Sequence, residues 1–221
     1  MNLISEIEAQ ITSYQKQNKI YFTSSSFQTH SIVLLHILST IDKKIPVYFL
    51  NTGFHFPETL TYKNTITELF ELNTIDLVSF TPKSLQTDEH GRLLFTSDPD
   101  YCCYLNKIQP LEPILASHDV WINGVRADQN ENRKTFKTEE KTNHRAIRYH
   151  PMLQWTSKMI YDYIREFNIP KHPLDAKGYL SIGCEPCTRR ITMDTLSDER
   201  NARWFGMSKT ECGLHTELVK K

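Results

Sequence analysis

The stretch IYFTSSSFQTHSIVLLHIL, residues 20–38, changes the period of its hydrophobicity halfway along. Ile20-Tyr21-Phe22 is a short apolar run of strand type, whereas Ile32, Val33, Leu34, Leu35, Ile37, Leu38 and Ile41 fall at helical spacings. Between them lies a polar, serine-rich hinge. The alternation continues outward. Residues 46–50 form a second strand pattern, residues 57–72 a helix opened by Pro57, and residues 75–80 a third strand. Strand, helix, strand, helix, strand implies an α/β fold with a doubly wound, mainly parallel sheet and right-handed crossovers.

In such folds the loop from a strand into the next helix is where anions bind, because backbone N–H groups and the positive helix end converge there. Ser24, Ser25 and Ser26 occupy that loop and add hydroxyl donors, although the absence of glycine and lysine rules out a Walker loop. A serine-rich helix cap is the plain alternative. A second loop at the equivalent place, Asn51-Thr52-Gly53-Phe54-His55-Phe56-Pro57-Glu58-Thr59, contains Gly53, which permits close backbone approach. Two such loops at adjacent strand ends point to a nucleotide crevice.

The rest of the chain is less regular. Residues 81–100 are expected to be a long loop, 106–115 partly helical despite Pro110 and Pro113, 120–123 a further strand, and 129–144 a polar, mobile segment. Thr156 is placed to cap a helix carrying Met159, Ile160, Tyr163, Ile164 and Phe167 on one stripe. His36, Trp121 and Trp155 are expected to pack rather than bind. Regularity fades after Pro170, in a segment holding three of the chain's five cysteines.

With 221 residues the chain suits one domain, 1–221, able to bury roughly 70% of its unfolded surface without disulfides. Its 26 acidic and 26 basic residues cancel, which argues against non-specific nucleic-acid binding, so any anion site is local. The N-terminal residues lack a signal-peptide pattern, and no apolar run approaches the ~20 residues of a membrane span. A cytoplasmic address is therefore expected. In a reducing compartment paired cysteines more often signify metal or redox chemistry than structural disulfides.

Four cysteines come as pairs, Cys102-Cys103 and Cys184-x-x-Cys187; the fifth, Cys212, stands alone in Glu211-Cys212-Gly213-Leu214-His215. A CxxC by itself fits zinc, an iron-sulfur cluster or a dithiol. Adjacent side chains diverge, so Cys102 and Cys103 suit a polynuclear 4Fe-4S cluster better than one tetrahedral ion. A buried vicinal pair with a zinc knuckle is the plainer alternative.

Together these segments resemble the assimilatory sulfonucleotide reductases, specifically the iron-sulfur adenylyl-sulfate reductases and their phosphoadenylyl-sulfate-reducing relatives. The resemblance is carried by Ser24-Ser25-Ser26-Phe27, Asn51-Thr52-Gly53 with Phe56-Pro57-Glu58-Thr59, and Cys102-Cys103 with Lys107 and Pro110-Leu111. Trp121, Gly124, Arg126, Gln129 and Arg133 follow, then Gly178 to Thr188, Arg200, Arg203 and residues 211–215. They span nearly the whole chain in the family's order. Asn51, His30 and Asn106 depart from its usual residues.

The resemblance implies an adenine nucleotide α-hydrolase-like fold that reduces adenosine 5'-phosphosulfate (APS) to sulfite and AMP, with thioredoxin as electron donor. It implies a 4Fe-4S cluster on Cys102, Cys103, Cys184 and Cys187, and Cys212 as nucleophile on a mobile catalytic tail, residues 205–221. Lys107 then lies between cluster and substrate, and Arg200 and Arg203 contact the phosphosulfate. Ser24, Ser25, Ser26, Gly53, Arg126, Arg133 and His215 are further candidate substrate ligands. Reduction of the 3'-phosphorylated substrate (PAPS), or a non-catalytic iron-sulfur or zinc module, are the alternatives. Homo-oligomerisation stays open.

Overall fold

A computed structural model describes residues 3–179, 181–190, 203, 204, 213–215 and 218. The chain begins with helix α1 (Leu3–Lys16), then β1 (Tyr21–Ser24), α2 (Thr29–Ile41), β2 (Pro46–Asn51), α3 (Pro57–Leu69) and β3 (Asn73–Val78). Two short helices, α4 (Leu94–Ser97) and α5 (Pro99–Cys103), precede α6 (Gln109–Ser117) and β4 (Val120–Ile122). Then come α7 (Glu131–Lys134), β5 (Glu139–Lys141), β6 (Ile147–Tyr149) and α8 (Ser157–Glu166).

The six strands form one sheet in the order β3-β2-β1-β4-β6-β5, parallel except for the antiparallel β5–β6 edge pair. Strand alternation divides the core between two faces. Val47, Phe49, Val120 and Ile122 join a cluster with Ile7 and Ile11 of α1, Ile32 and Leu35 of α2, Ile66 of α3 and Ile160 of α8. Phe22, Tyr48 and Trp121 point the other way, onto Ile108, Leu111 and Leu115 around α6. Both faces are therefore covered, as a parallel sheet requires. The chain runs outward from β1 through β2 to β3, then returns to β1's other side with β4. That reversal makes the carboxyl ends of β1 and β4 the crevice where such sheets bind ligands.

The opening stretch folds as its period predicts, with α2 starting three residues before Ile32. Its hinge turns without glycine. Phe27 takes φ of +52° and is fully buried. Ser25 Oγ accepts from the Phe27 N–H at 3.0 Å and closes the bend. Burial of the ring thus holds a conformation usually left to glycine.

Several expectations need correction. The 81–100 stretch contains a 3-10 turn (Lys83–Leu85), α4 and the start of α5 rather than one long loop. The 129–144 stretch contains α7 and β5, and its edge is fixed by tertiary bonds: Tyr14 donates to Glu139, and the His150 N–H to the Thr138 carbonyl at 2.8 Å. Pro110 is tolerated because it sits in the first turn of α6, where its missing N–H is not needed. Thr156 does cap α8, accepting from the Met159 N–H at 3.3 Å. His36 bonds the Tyr163 hydroxyl at 2.8 Å, and Trp121 and Trp155 are buried in the core. Among the described residues no helix is long and apolar enough to cross a membrane.

Candidate active site

A cleft of about 980 Å³, measured out to its open mouth, lies at the switch point between β1 and β4. The serine loop forms one wall: Ser24, Ser25 and Ser26 all line it. Ser24 is positioned by the Trp121 indole N–H, which donates to its Oγ at 2.7 Å. The Ser25 backbone N–H bonds the Tyr48 carbonyl at 3.1 Å, pinning the loop to β2. Lys107, Arg133 and Arg203 bring three cations into the same lining. Gln129 accepts from the Arg133 guanidinium, while the Arg133 N–H is capped by Asn130 Oδ1 at 2.9 Å.

Lys107 sits in a single π-helical turn, Tyr104–Ile108, inserted between α5 and α6. Such turns shift helical register locally and are frequent at functional positions. Arg203 lies across Gly183, where a Cβ would collide with its guanidinium; its Nε donates to the Cys187 carbonyl at 3.2 Å. Glycine at 183 is thus what lets the guanidinium lie flat against the backbone.

A second, smaller cavity of about 340 Å³ adjoins the cleft, and Cys102, Cys103, Cys184 and Cys187 all line it. Lys107 and Cys184 belong to both linings. Thr52 Oγ1 lies 3.3 Å from Cys184 Sγ, and Asn106 Nδ2 reaches the Cys102 carbonyl at 2.9 Å and its sulfur at 3.7 Å. Asn106 is held in turn by a reciprocal amide pair with Gln86, at 2.6 and 3.2 Å. Burial, reinforced by Cys103, Cys184 and Cys187 and opposed by Lys107, pushes the Cys102 thiol up to about 12; Cys187 is raised by burial and then Cys184. Thiols held un-ionised by burial and by neighbouring cysteines, as Cys102 and Cys187 are, match a site for a metal centre, which reverses that preference. Among the described residues no three His, Cys, Asp or Glu side chains are arranged to hold a single metal ion. Thiols spread around one shared cavity fit a polynuclear cluster better than a lone ion.

Residues 20–190 match the family model described as the phosphoadenosine phosphosulfate reductase domain. The chain belongs to that family. A curated relative named adenosine 5'-phosphosulfate reductase, from Chelativorans sp. (strain BNC1), is 39% identical over 195 residues, covering 87% of this chain and 78% of the relative. The protein of the same name from Bacillus cytotoxicus is 36% identical over 206 residues, covering 92% and 87%. Among solved structures, the phosphoadenylyl-sulfate reductase of Candida auris in a phosphate complex superposes with TM-score 0.70 at 19% identity, covering 84% of this chain and 89% of that one. An FMN adenylyltransferase of Candida glabrata gives TM-score 0.61 at 14% identity, covering 95% and 76%. Those two likenesses establish the fold, which is adenine nucleotide α-hydrolase-like.

For this family member, then, the structure gathers Ser24, Ser25, Ser26, Lys107, Arg133 and Arg203 around one cleft and the four paired cysteines around the next. It does not bring Gly53 or Arg126 into the cleft lining. Gly53, with φ of +68°, bends the second loop beneath Lys83, whose Nζ donates to its carbonyl. Arg126 is buried behind the wall, donating to Asp128 Oδ1 at 2.9 Å and Ser157 Oγ at 2.8 Å. Arg200 and Cys212 lie outside the described residues, as does the His215 side chain. Residues 213–215 form a 3-10 turn against the Lys107 π-turn, with Leu214 in the cleft lining.

Two lining residues, His55 and Asn123, were not singled out by their sequence context. His55 Nε2 lies 2.9 Å from the Leu50 carbonyl, and burial brings its imidazole down to about 4. His55 follows the Gly53 bend, a position that only the folded loop reveals as part of the wall.

Proposed function

We propose that this chain reduces APS to sulfite and AMP, with Cys212 as nucleophile and a thioredoxin-type dithiol as reductant, within assimilatory sulfate reduction and cysteine biosynthesis. The observation carrying this reading is the shared wall: a serine loop and three cations line one crevice, and Lys107 and Cys184 join that cleft to the four-thiol cavity. The curated relatives, named for APS reduction, favour it over PAPS as substrate.

The serine loop would receive the α-phosphate, while Lys107, Arg133 and Arg203 offset the charge of the phosphosulfate. That neutralisation is needed before a thiolate can approach an anion. Cys212 then attacks the sulfonate sulfur; the bond from sulfur to the bridging oxygen breaks, and AMP departs with the electron pair. A dithiol thiolate next attacks the Cys212 sulfur and expels sulfite, and its partner thiol resolves the mixed disulfide. The two electrons that take sulfur from sulfate to sulfite level come from that dithiol, which ends as a disulfide. Attack by a partner requires the Cys212 segment to open after AMP leaves. Cys102, Cys103, Cys184 and Cys187 would hold a 4Fe-4S cluster, which when bound supplies a fixed charge and a structural tie beside the cleft.

The test is incubation of the purified protein with APS, followed by intact mass measurement and peptide mapping. A sulfonate mass gain on the Cys212 peptide, released as sulfite by reduced thioredoxin, is expected. Turnover without that adduct, or an unmodified protein with no sulfite, overturns the reading. Repeating the assay with PAPS separates the two sulfonucleotides.

A further inference from the structure

The cations of the cleft lining offer donors: Lys107, Arg133 and Arg203. Two further residues of the lining, Asn123 and His55, each carry a buried acceptor that meets no donor among the described residues, Oδ1 and Nδ1 respectively. Asn123 is 4% exposed; its backbone N–H bonds the Tyr149 carbonyl at 3.0 Å, and its Nδ2 faces the Trp121 carbonyl at 3.5 Å. A carbonyl can only accept, so the amide nitrogen belongs on that side and the oxygen is left over. The same logic fixes the imidazole. Its Nε2 lies 2.9 Å from the Leu50 carbonyl and must carry the hydrogen, leaving Nδ1 of the neutral ring as a lone pair.

The two acceptors flank the serine loop. Asn123 follows β4 and His55 follows β2, and β1, which leads into the loop, lies between those strands. Buried acceptors normally find a donor, and two orphans in one cleft point to a ligand that brings donors of its own. Neither an ionised phosphate oxygen nor a sulfonate carries an N–H or O–H. The donors of an adenosine phosphosulfate are confined to its nucleoside half.

We propose that Asn123 Oδ1 and His55 Nδ1 are specificity-determining acceptors for those neutral donors, the 6-amino group of the base and the ribose hydroxyls. The assignment rests on the nucleotide reading given above. It makes selectivity a matter of unpaired acceptors: an analogue lacking a donor leaves one buried oxygen or nitrogen unsatisfied. A phosphate in place of a ribose hydroxyl removes a donor and sets negative charge against a lone pair.

The experiment measures the Kd of AMP against purine riboside 5'-monophosphate, 2'-deoxy-AMP and 3'-deoxy-AMP, for the wild-type chain, Asn123→Leu and His55→Leu. The wild type is expected to bind at least one analogue roughly 10-fold or more weaker than AMP. Each variant is expected to lose the discrimination against one missing donor and keep the others, and that pattern identifies which donor each acceptor meets. Wild-type protein binding all four nucleotides equally would overturn the proposal without recourse to either variant. Variants that keep the full wild-type pattern would do the same. Binding of AMP without discrimination defeats only this inference, whereas no binding of any nucleotide defeats the functional reading as well.

Discussion

Gly183→Ala separates the cost of a substitution to the fold from its cost to the site. The backbone there is not in the left-handed region, so alanine adopts it, and the three atoms nearest the new Cβ all belong to the Arg203 guanidinium, the far end of a flexible side chain. Loss of the Arg203 Nε bond to the Cys187 carbonyl at 3.2 Å costs about 1 kcal/mol. Replacing glycine where φ permits returns about 0.4–1 kcal/mol through the unfolded chain. The two nearly cancel, so the urea midpoint should hardly move. Ligand binding should suffer more. A displaced Arg203 forfeits a charge-assisted hydrogen bond worth about 1.5–3 kcal/mol, or roughly 10- to 150-fold in Kd. Calorimetry with a sulfonucleotide or AMP reads this directly. In the Arg203→Ala background Gly183→Ala should add almost nothing to the loss. If it weakens binding equally in both backgrounds, the methyl group acts by obstructing the cleft and the account of Arg203 is wrong.

Phe27→Gly removes the strain of a left-handed phenylalanine, about 1–2 kcal/mol, but also a fully buried ring worth about 3–5 kcal/mol, so net destabilisation near 2–3 kcal/mol is expected by denaturant titration; stabilisation would refute burial as the cause of the bend. Trp121→Phe keeps an aromatic ring in the core and removes the donor to Ser24 Oγ, so nucleotide affinity should fall about 5-fold, and unchanged affinity would show that Ser24 needs no such positioning. Burial lowers His30 and His172 to about 4 and His150 to about 3, from an ordinary value of 6.5. The unfolded chain therefore takes up protons first: their stability contribution is complete above about pH 6.5 and is lost as pH falls toward 4. Thermal melts at pH 7.5, 5.5 and 4.5 should show that decline, and a flat profile would contradict it.

The parallel sheet was legible because its signals are local. Strand and helix periods alternate on either side of Ser24–Ser26, and Pro57 and Thr156 mark helix starts that the structure retains. The edge pair β5–β6 was not, since its strands lack the apolar run that marks the equally short β4 and depend on Tyr14, Thr138 and the parallel partner β4. Arg126 shows the corresponding limit at the site. Its charge and its place in the family resemblance suggested an anion ligand, yet Asp128 and Ser157 hold two of its nitrogens behind the wall. His55 and Asn123 went unread for a related reason: their value as acceptors depends on which neighbouring carbonyl occupies the other end of each side chain, a fact of tertiary geometry.

What makes the cleft and the cysteine cavity one site is the set of backbone groups joining them. Gln28, at the start of α2, accepts from the Ile182 N–H at 3.1 Å, which ties the segment before Cys184 to the serine loop. The Glu185 N–H bonds the Phe54 carbonyl at 2.7 Å, and the Trp204 N–H bonds the Cys187 carbonyl at 3.1 Å. The second loop, the CxxC turn and the residue after Arg203 are thereby fixed in sequence, each by a main-chain group. No substitution short of proline abolishes a main-chain donor, so this scaffold tolerates variation in the residues that face the ligand. The exceptions are positions where the side chain itself makes the tie, as at Gln28, or where its absence is required, as at Gly183. Loss of the Gln28 side-chain amide oxygen should therefore loosen the serine loop and the cysteine turn together, although the two are more than 150 residues apart in the chain.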